Sequence, residues 1–160
     1  MIGVVGSGDH EMRHDPLAEE VGSMIARNGA VMVCGGLSGI MEAASRGAAS
    51  DGGTIIGILP GSDKKEANPY ITYPIPTGLG EARNVLIVRT ADAIVAMPGG
   101  AGTLSEIALA LKTGTPVVDL GGWNIEGTRG AATADGAVLL ALELCAGAGN
   151  LSDQPAHPGK

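Results

Sequence analysis

At 160 residues the chain has room for one domain with a substantial core. Hydrophobic residues make up 44% and charged ones 17%, and no apolar run approaches the roughly eighteen residues that cross a bilayer, so no membrane partner is expected. A net charge of −7 with 2% aromatic residues excludes the basic, ring-bearing surface that nucleic acid requires.

Met1 leads at once into Ile2 to Gly6 (IGVVG), a short buried strand, in place of the basic start and apolar stretch of a signal peptide, so a cytoplasmic protein is expected. Asp15-Pro16 then supplies an N-cap and a first-turn proline, which predicts a helix from Pro16 to about Asn28 with Leu17, Val21, Met24 and Ile25 inward and Gly29 as its stop. Ala30 to Cys34 is the next strand. Gly35-Gly36-Leu37-Ser38-Gly39 turns the chain into a second helix that buries Ile40, Met41, Ala44 and Ala48 and ends near Asp51-Gly52-Gly53. Thr54 to Leu59 is again a continuous apolar strand, and such runs belong to parallel sheets covered on both faces. Pro60 to Gly80 is rich in Pro, Gly, Asp, Asn and Lys and predicts only a short strand around Ile71 to Ile75. Leu79 to Thr90 reads as a helix and Asp92 to Met97 as a strand. Gly102 to Thr113 reads as a helix with an inward stripe of Leu104, Ile107, Ala108 and Leu111. Thr115 to Leu120 is a further strand, and Asp135 to Ala146 a last helix with Val138, Leu139, Leu142 and Cys145 facing in. The alternation predicts a single α/β domain over residues 1–146, a doubly wound, mostly parallel sheet with helices on both faces, followed by a frayed polar tail over 147–160.

The 27 glycines with no phenylalanine mean that small residues dominate the packing. The two cysteines, Cys34 and Cys145, have no C-x-x-C spacing and read as buried small apolar side chains. Three glycine-rich turns fall at the carboxyl ends of predicted strands: Gly6-Ser7-Gly8, Gly35 to Gly39, and Pro98-Gly99-Gly100-Ala101-Gly102-Thr103. The latter two open into helices, whose N-termini present free N–H groups and partial positive charge, while glycines let an anion approach the main chain; together they predict a phosphate cradle. The first turn is no dinucleotide fingerprint, since Glu11 stands where the third glycine should be and Cys34-Gly35 where the acidic ribose ligand should be. No Gly-Lys-Ser/Thr of a P-loop occurs.

His10-Glu11-Met12-Arg13-His14 matches H-E-x-x-H, but zinc binding needs both imidazoles on one helix face and a third ligand, whereas Asp15-Pro16 starts the helix after His14 and the remaining histidine, His157, lies in the tail. The match reads as accidental, in a solvated loop, and no metal site is expected. Arg83 and Asn84 precede the strand that ends at Pro98, and Glu106 lies one turn into the following helix. An arginine and a carboxylate beside a phosphate cradle suit N-glycosidic cleavage, one holding phosphate or ribose, the other polarising water or stabilising an oxocarbenium centre.

Gly35-Gly36-x-x-Gly39-Ile40-Met41 resembles the GGGxxGLM element, and Pro98-Gly99-Gly100-x-Gly102-Thr103-x-x-Glu106 the PGGxGTxxE element, of the Lonely Guy family, once labelled as lysine decarboxylases. The similarity runs from Ile2 to about Trp123. Within that superfamily Glu81-Ala82-Arg83-Asn84 and Ser105 to Lys112 are most similar to the molybdenum-cofactor carrier branch and its bacterial relatives. The resemblance implies a Rossmann-like homo-oligomer, a dimer or tetramer, that binds a small phosphorylated ligand, either a molybdopterin-type cofactor or a nucleotide, with phosphate or sulfate as mimic and no required cofactor. It assigns ligand binding to Gly6, Ser7, Gly8, Gly35, Gly36, Ser38, Gly39, Met41, Arg83, Asn84, Pro98, Gly99, Gly100, Gly102, Thr103 and Glu106, with Arg83 and Glu106 catalytic if the chain is an enzyme. The alternative it implies is a phosphoribohydrolase that splits a nucleoside 5′-monophosphate into base and ribose 5-phosphate. Those enzymes carry Arg-Lys where this chain has Arg83-Asn84, and two acids where it has Ser105-Glu106. A pyridoxal phosphate decarboxylase is disfavoured, because none of Lys64, Lys65, Lys112 and Lys160 falls at a strand's carboxyl edge to form a Schiff base.

Overall fold

Uninterrupted apolar runs leave a strand no polar face for solvent, so helices must cover both sides of the sheet they form. The structure, a computed structural model, describes residues 1–9 and 15–149. The runs become β1 (Ile2–Val5), β2 (Met32–Cys34), β3 (Ile55–Leu59), β5 (Ala93–Ala96) and β6 (Val117–Asp119), with β4 (Tyr73–Pro76) and β7 (Arg129–Gly130) at the two edges. The helices are α1 (Asp15–Arg27), α2 (Ile40–Ser50), α3 (Asn84–Thr90), α4 (Ala101–Thr113) and α5 (Ala134–Gly149). All seven strands are parallel, in the order β4-β3-β2-β1-β5-β6-β7.

The chain moves outward from β1 to β4, then returns to lay β5 on the other side of β1. Right-handed crossovers in opposite directions place helices on opposite faces. Side chains of α1, α2 and α5, among them Val21, Ile25, Ala44 and Val138, share one core layer with Ile2, Val4 and Met32 of the sheet. On the other face Ile87 and Val88 of α3 and Ile107 and Ala110 of α4 pack with Val5, Val33 and Ile94. The strand order reverses between β1 and β5, and there the carboxyl ends open the crevice that such sheets use for ligands.

Small residues bring α1 and α2 into backbone contact. A Cβ on Gly22 would overlap the Ala44 carbonyl, and one on Gly47 would overlap the Glu19 carbonyl. The crossing is flanked by an ion pair from Arg46 to Glu19 at 2.9 Å.

Several elements differ from the sequence-based expectation. The expected helix from Leu79 to Thr90 is split: Gly80–Arg83 is a 3₁₀ turn, closed by the Asn84 amide donating to the Glu81 carbonyl, and only from Asn84 is the chain α-helical. On α4 the buried face is Thr103, Glu106, Ile107 and Ala110, while Leu104 and Ala108 are exposed and Leu111 is half-buried. The expected stripe is thus rotated by one residue, about 100°. The reason lies at the start of α4, which abuts the crevice and turns its polar Thr103 and Glu106 inward. On α5 the inner face is Ala134, Ala137, Val138 and Ala141, with Leu139 exposed and Leu142 and Cys145 half-buried. Leu142 and Cys145 pack at the margin of the core that these small residues enter. β7 has no counterpart among the predicted elements. It forms because the buried Asp119 carboxylate accepts from the amides of Gly121, Trp123 and Asn124, folding the chain back beside β6. The H-E-x-x-H stretch, residues 10–14, and the tail beyond 149 lie outside the described residues.

Candidate functional site

Each of the three glycine turns leaves a strand at the crevice, and Ser7 joins them. Its amide donates to the Pro98 carbonyl at 3.0 Å, and its carbonyl accepts from the Ile40 amide, also at 3.0 Å. Ser38 Oγ adds a bond to the Gly8 carbonyl at 2.7 Å. This closeness needs glycine at position 39, where φ is +66° and a Cβ would come within 2.5 Å of the Ser7 carbonyl oxygen. By contrast, Gly100 and Gly102 face open space.

The turns wall a cavity of about 270 Å³. Of the residues anticipated from sequence, Gly6, Ser7, Gly8, Gly35, Met41, Arg83, Asn84, Gly100, Gly102, Thr103 and Glu106 line it. Gly36, Ser38, Gly39, Pro98 and Gly99 do not. The lining also includes Asp9, Leu37 and Glu81, which sequence reasoning did not single out, together with Val4 and Val5. Glu81 and Leu37 had signals in their own quoted segments, Glu81 two residues before Arg83 and Leu37 inside the Gly35 to Gly39 turn, but nothing in the sequence marked Asp9. Lys64, Lys65 and Lys112 are exposed outside the cavity. Among the described residues there is no cluster of three or more His, Cys, Asp or Glu able to hold a metal.

The 3₁₀ turn before α3 delivers Arg83 to the cavity wall, 7% exposed. Its Nη1 donates to Asn84 Oδ1 at 2.7 Å and meets Glu106 Oε1 at 3.4 Å. A Cβ on Gly35 would come within 2.5 Å of Nη2, so the glycine makes room for the guanidinium. The Arg83 Nε is buried without a partner. Asn84 in turn donates through Nδ2 to Ser105 Oγ at 3.0 Å, so the two positions that depart from the hydrolase pattern touch each other. Behind the turn, burial pushes the Cys34 thiol up, which keeps it protonated and inert.

Glu106 is 6% exposed. Burial pushes its carboxyl up from 4.5 to about 7; the Arg83 charge pulls it down and Glu81 raises it further, so desolvation outweighs the ion pair. The folded chain therefore holds this proton more tightly than the unfolded one. Glu106 contributes stability that is full below pH 4.5 and lost as pH rises through about 7. The loss is on the order of 3 kcal/mol across that window. Urea denaturation at pH 5 and pH 8 is expected to show this decline in the unaltered chain and a flatter profile in Glu106→Gln. Equal slopes in the two proteins would show that Glu106 is not the buried titrating group.

The geometry can be set beside known proteins. The model of the SLOG cluster4 family matches residues 1–142. An uncharacterised protein of Archaeoglobus fulgidus is 45% identical over 119 residues, which is 74% of this chain and 78% of that protein. The molybdenum cofactor binding protein of Rippkaea orientalis superposes with a TM-score of 0.83 at 33% identity, over 89% of this chain and 95% of its own. The molybdenum cofactor carrier protein of Chlamydomonas reinhardtii gives 0.81 at 37% identity, over 91% and 97%. A cytokinin riboside 5′-monophosphate phosphoribohydrolase of Rhodococcoides fascians is 33% identical over 103 residues, 59% of this chain, and the chain spans 50% of that enzyme's length. The parallel doubly wound sheet and the family match lead to one conclusion: the chain belongs to the SLOG cluster4 family, within the Lonely Guy-like Rossmann superfamily.

Proposed function

We propose that the chain binds a small phosphorylated ligand in the β1–β5 crevice and serves as a carrier, with a molybdopterin-type cofactor as its cargo. The observation that carries this reading is Arg83: a guanidinium buried in the cavity wall with Nε unpartnered, in a space lined also by residues of the three glycine turns and by Asp9, Glu81 and Glu106. The Nη1 meets Asn84 and Glu106, which leaves the other guanidinium N–H groups of this cavity-lining cation for an anionic ligand, and a phosphate suits them as acceptor. Asp9 and Glu81 on the same wall can accept from N–H or O–H groups on the rest of the ligand. The structural neighbours that bind molybdenum cofactor support the cargo class.

A second reading, hydrolysis of a nucleoside 5′-monophosphate, draws support from Glu106, whose carboxyl near 7 beside Arg83 suits a proton-transfer group. Against it stands the Asn84–Ser105 hydrogen bond, a neutral pair where the hydrolase pattern has charges of both signs. A neutral amide does not replace a cationic lysine in offsetting phosphate charge. Native mass spectrometry of freshly purified protein is expected to show the added mass of a retained pterin or nucleotide. Incubation with AMP is expected to release little or no free adenine. Robust adenine release that is lost in Glu106→Gln would make the chain a hydrolase and overturn the carrier reading.

A further inference from the structure

Among the described residues, the charged side chains that line the cavity are Arg83 and three acids, Asp9, Glu81 and Glu106. One positive charge against three negative ones is a poor receptor for an anion. Asp9 and Glu81 are exposed, so water and salt screen them. Glu106 is buried, and its Oε1 stands 3.4 Å from Arg83 Nη1, the nitrogen that also donates to Asn84 Oδ1. An anion seated on the remaining N–H groups of the same guanidinium competes with this carboxylate for one cation. It also brings a second negative charge close to the first in a poorly solvated wall, where repulsion is strong.

We propose that the site takes up one proton with its anionic ligand, at the Glu106 carboxylate, as the ligand displaces that group from Arg83, so that cargo is held in more acidic surroundings and released in more alkaline ones. The inference rests on the phosphate-binding reading above and concerns the regulation of that same site. The chemistry is one protonation: solvent supplies the proton, the carboxylate becomes a carboxylic acid, and no bond of the ligand is made or broken.

The groups around Glu106 favour this exchange. Glu81, from the 3₁₀ turn, opposes its ionisation, and Asp9, from the turn after β1, adds a further negative charge to the same wall. Asn84 of α3 and Thr103 of α4 are uncharged, and the Cys34 thiol of β2 stays protonated. Arg83 is the group that draws the proton off. With burial holding the carboxyl at about 7, an anion that claims the arginine raises it further, and the exchange falls near neutral pH. The coupling is reciprocal, so affinity for the anion falls as pH rises through that value.

The test is isothermal titration with sulfate, a dianion throughout the range used, at pH 6, 7 and 8 in buffers of different ionisation enthalpy. In the unaltered chain affinity is expected to fall about five- to tenfold from pH 6 to pH 8, with about 0.4 proton taken up per chain at pH 7. Glu106→Gln keeps the shape without the charge. Its affinity is expected to be level across the range, its proton uptake absent, and its binding at pH 8 about fivefold tighter than that of the unaltered chain. The Glu106 side-chain carboxyl ¹³C resonance of the unaltered chain reads the same proton without any substitution, and its midpoint should rise by a unit or more in saturating sulfate.

Sulfate binding with a level pH profile and no proton uptake would overturn the inference and leave the phosphate-binding reading intact. Proton uptake that persists in Glu106→Gln would place the proton on another group and overturn it too. A carboxyl midpoint unmoved by bound sulfate decides against it even if Glu106→Gln fails to fold. No sulfate binding at any of the three pH values would remove the phosphate-binding reading and the inference with it.

Discussion

Replacing Gly47 by valine is expected to lower the melting temperature by about 6–12 °C, the largest stability loss of any substitution considered. A Cβ at this position overlaps the carbonyl of Glu19, and the reciprocal Gly22 meets the carbonyl of Ala44. Both obstacles are backbone inside a helix, which cannot rotate aside as a side chain can. The helices would have to separate, opening the Val21, Ile25 and Ala44 layer of the core. Overpacking of this kind costs roughly 3 kcal/mol or more, and in a domain of this size each kcal/mol moves the midpoint by about 2–4 °C. The Arg46–Glu19 pair beside the crossing is half exposed and offsets little of this. Gly100→Val is the control: Gly100 faces open space at the cavity, so its midpoint should stay within a few degrees while phosphate and sulfate binding is blocked. A Gly47→Val protein that melts within about 3 °C of the unaltered chain would show that the helices tolerate separation. Gly39→Val does not serve as such a control, since its Cβ would strike the main chain of Ser7 and Asp9 and disturb the fold itself.

Removal of the guanidinium in Arg83→Ala is expected to weaken sulfate binding about 100-fold at pH 6, the effect of deleting a buried charge-assisted contact of about 3 kcal/mol. The pH is chosen from Glu106, whose carboxyl near 7 is then mostly protonated and does not compete for the arginine. At pH 8 the same variant should also lose stability, because the carboxylate is left buried without the charge that pulls its proton off. Arg83→Lys should fall between, keeping the charge while losing the planar guanidinium whose Nη1 meets both Asn84 and Glu106. Isothermal titration with sulfate at both pH values reads all three proteins. Unchanged sulfate affinity in Arg83→Ala would remove Arg83 from the binding wall.

Strand and helix positions were legible where an apolar run had a clear punctuating residue, as Gly29 after α1 and Gly52-Gly53 after α2. The meeting of the three turns followed from their common place at strand carboxyl ends. What the sequence concealed is where a local rule yields to the crevice. On α4 a pattern reading prefers Leu104 inward, yet the crevice claims Thr103 and Glu106 for that face. Arg83 was visible as a residue, but the seat of its guanidinium depends on Gly35, a distant position whose missing Cβ leaves room for it. Asn68, which donates to the Gly36 and Leu37 carbonyls, gave no signal in a Pro- and Gly-rich stretch, because those partners are some thirty positions away and meet it only through the pairing of β2 with β3.

Because Ser7 is bonded at once to the turn after β5 and to the start of α2, the three walls of the crevice share one set of coordinates. An insertion in any one turn would displace the other two. Chains built on this plan therefore have little freedom to change ligand by lengthening loops, the usual route in doubly wound sheets. Their diversification is confined to side chains that project from a fixed frame, here Asp9, Leu37, Glu81 and Asn84, and a redesign of selectivity should begin with those four positions.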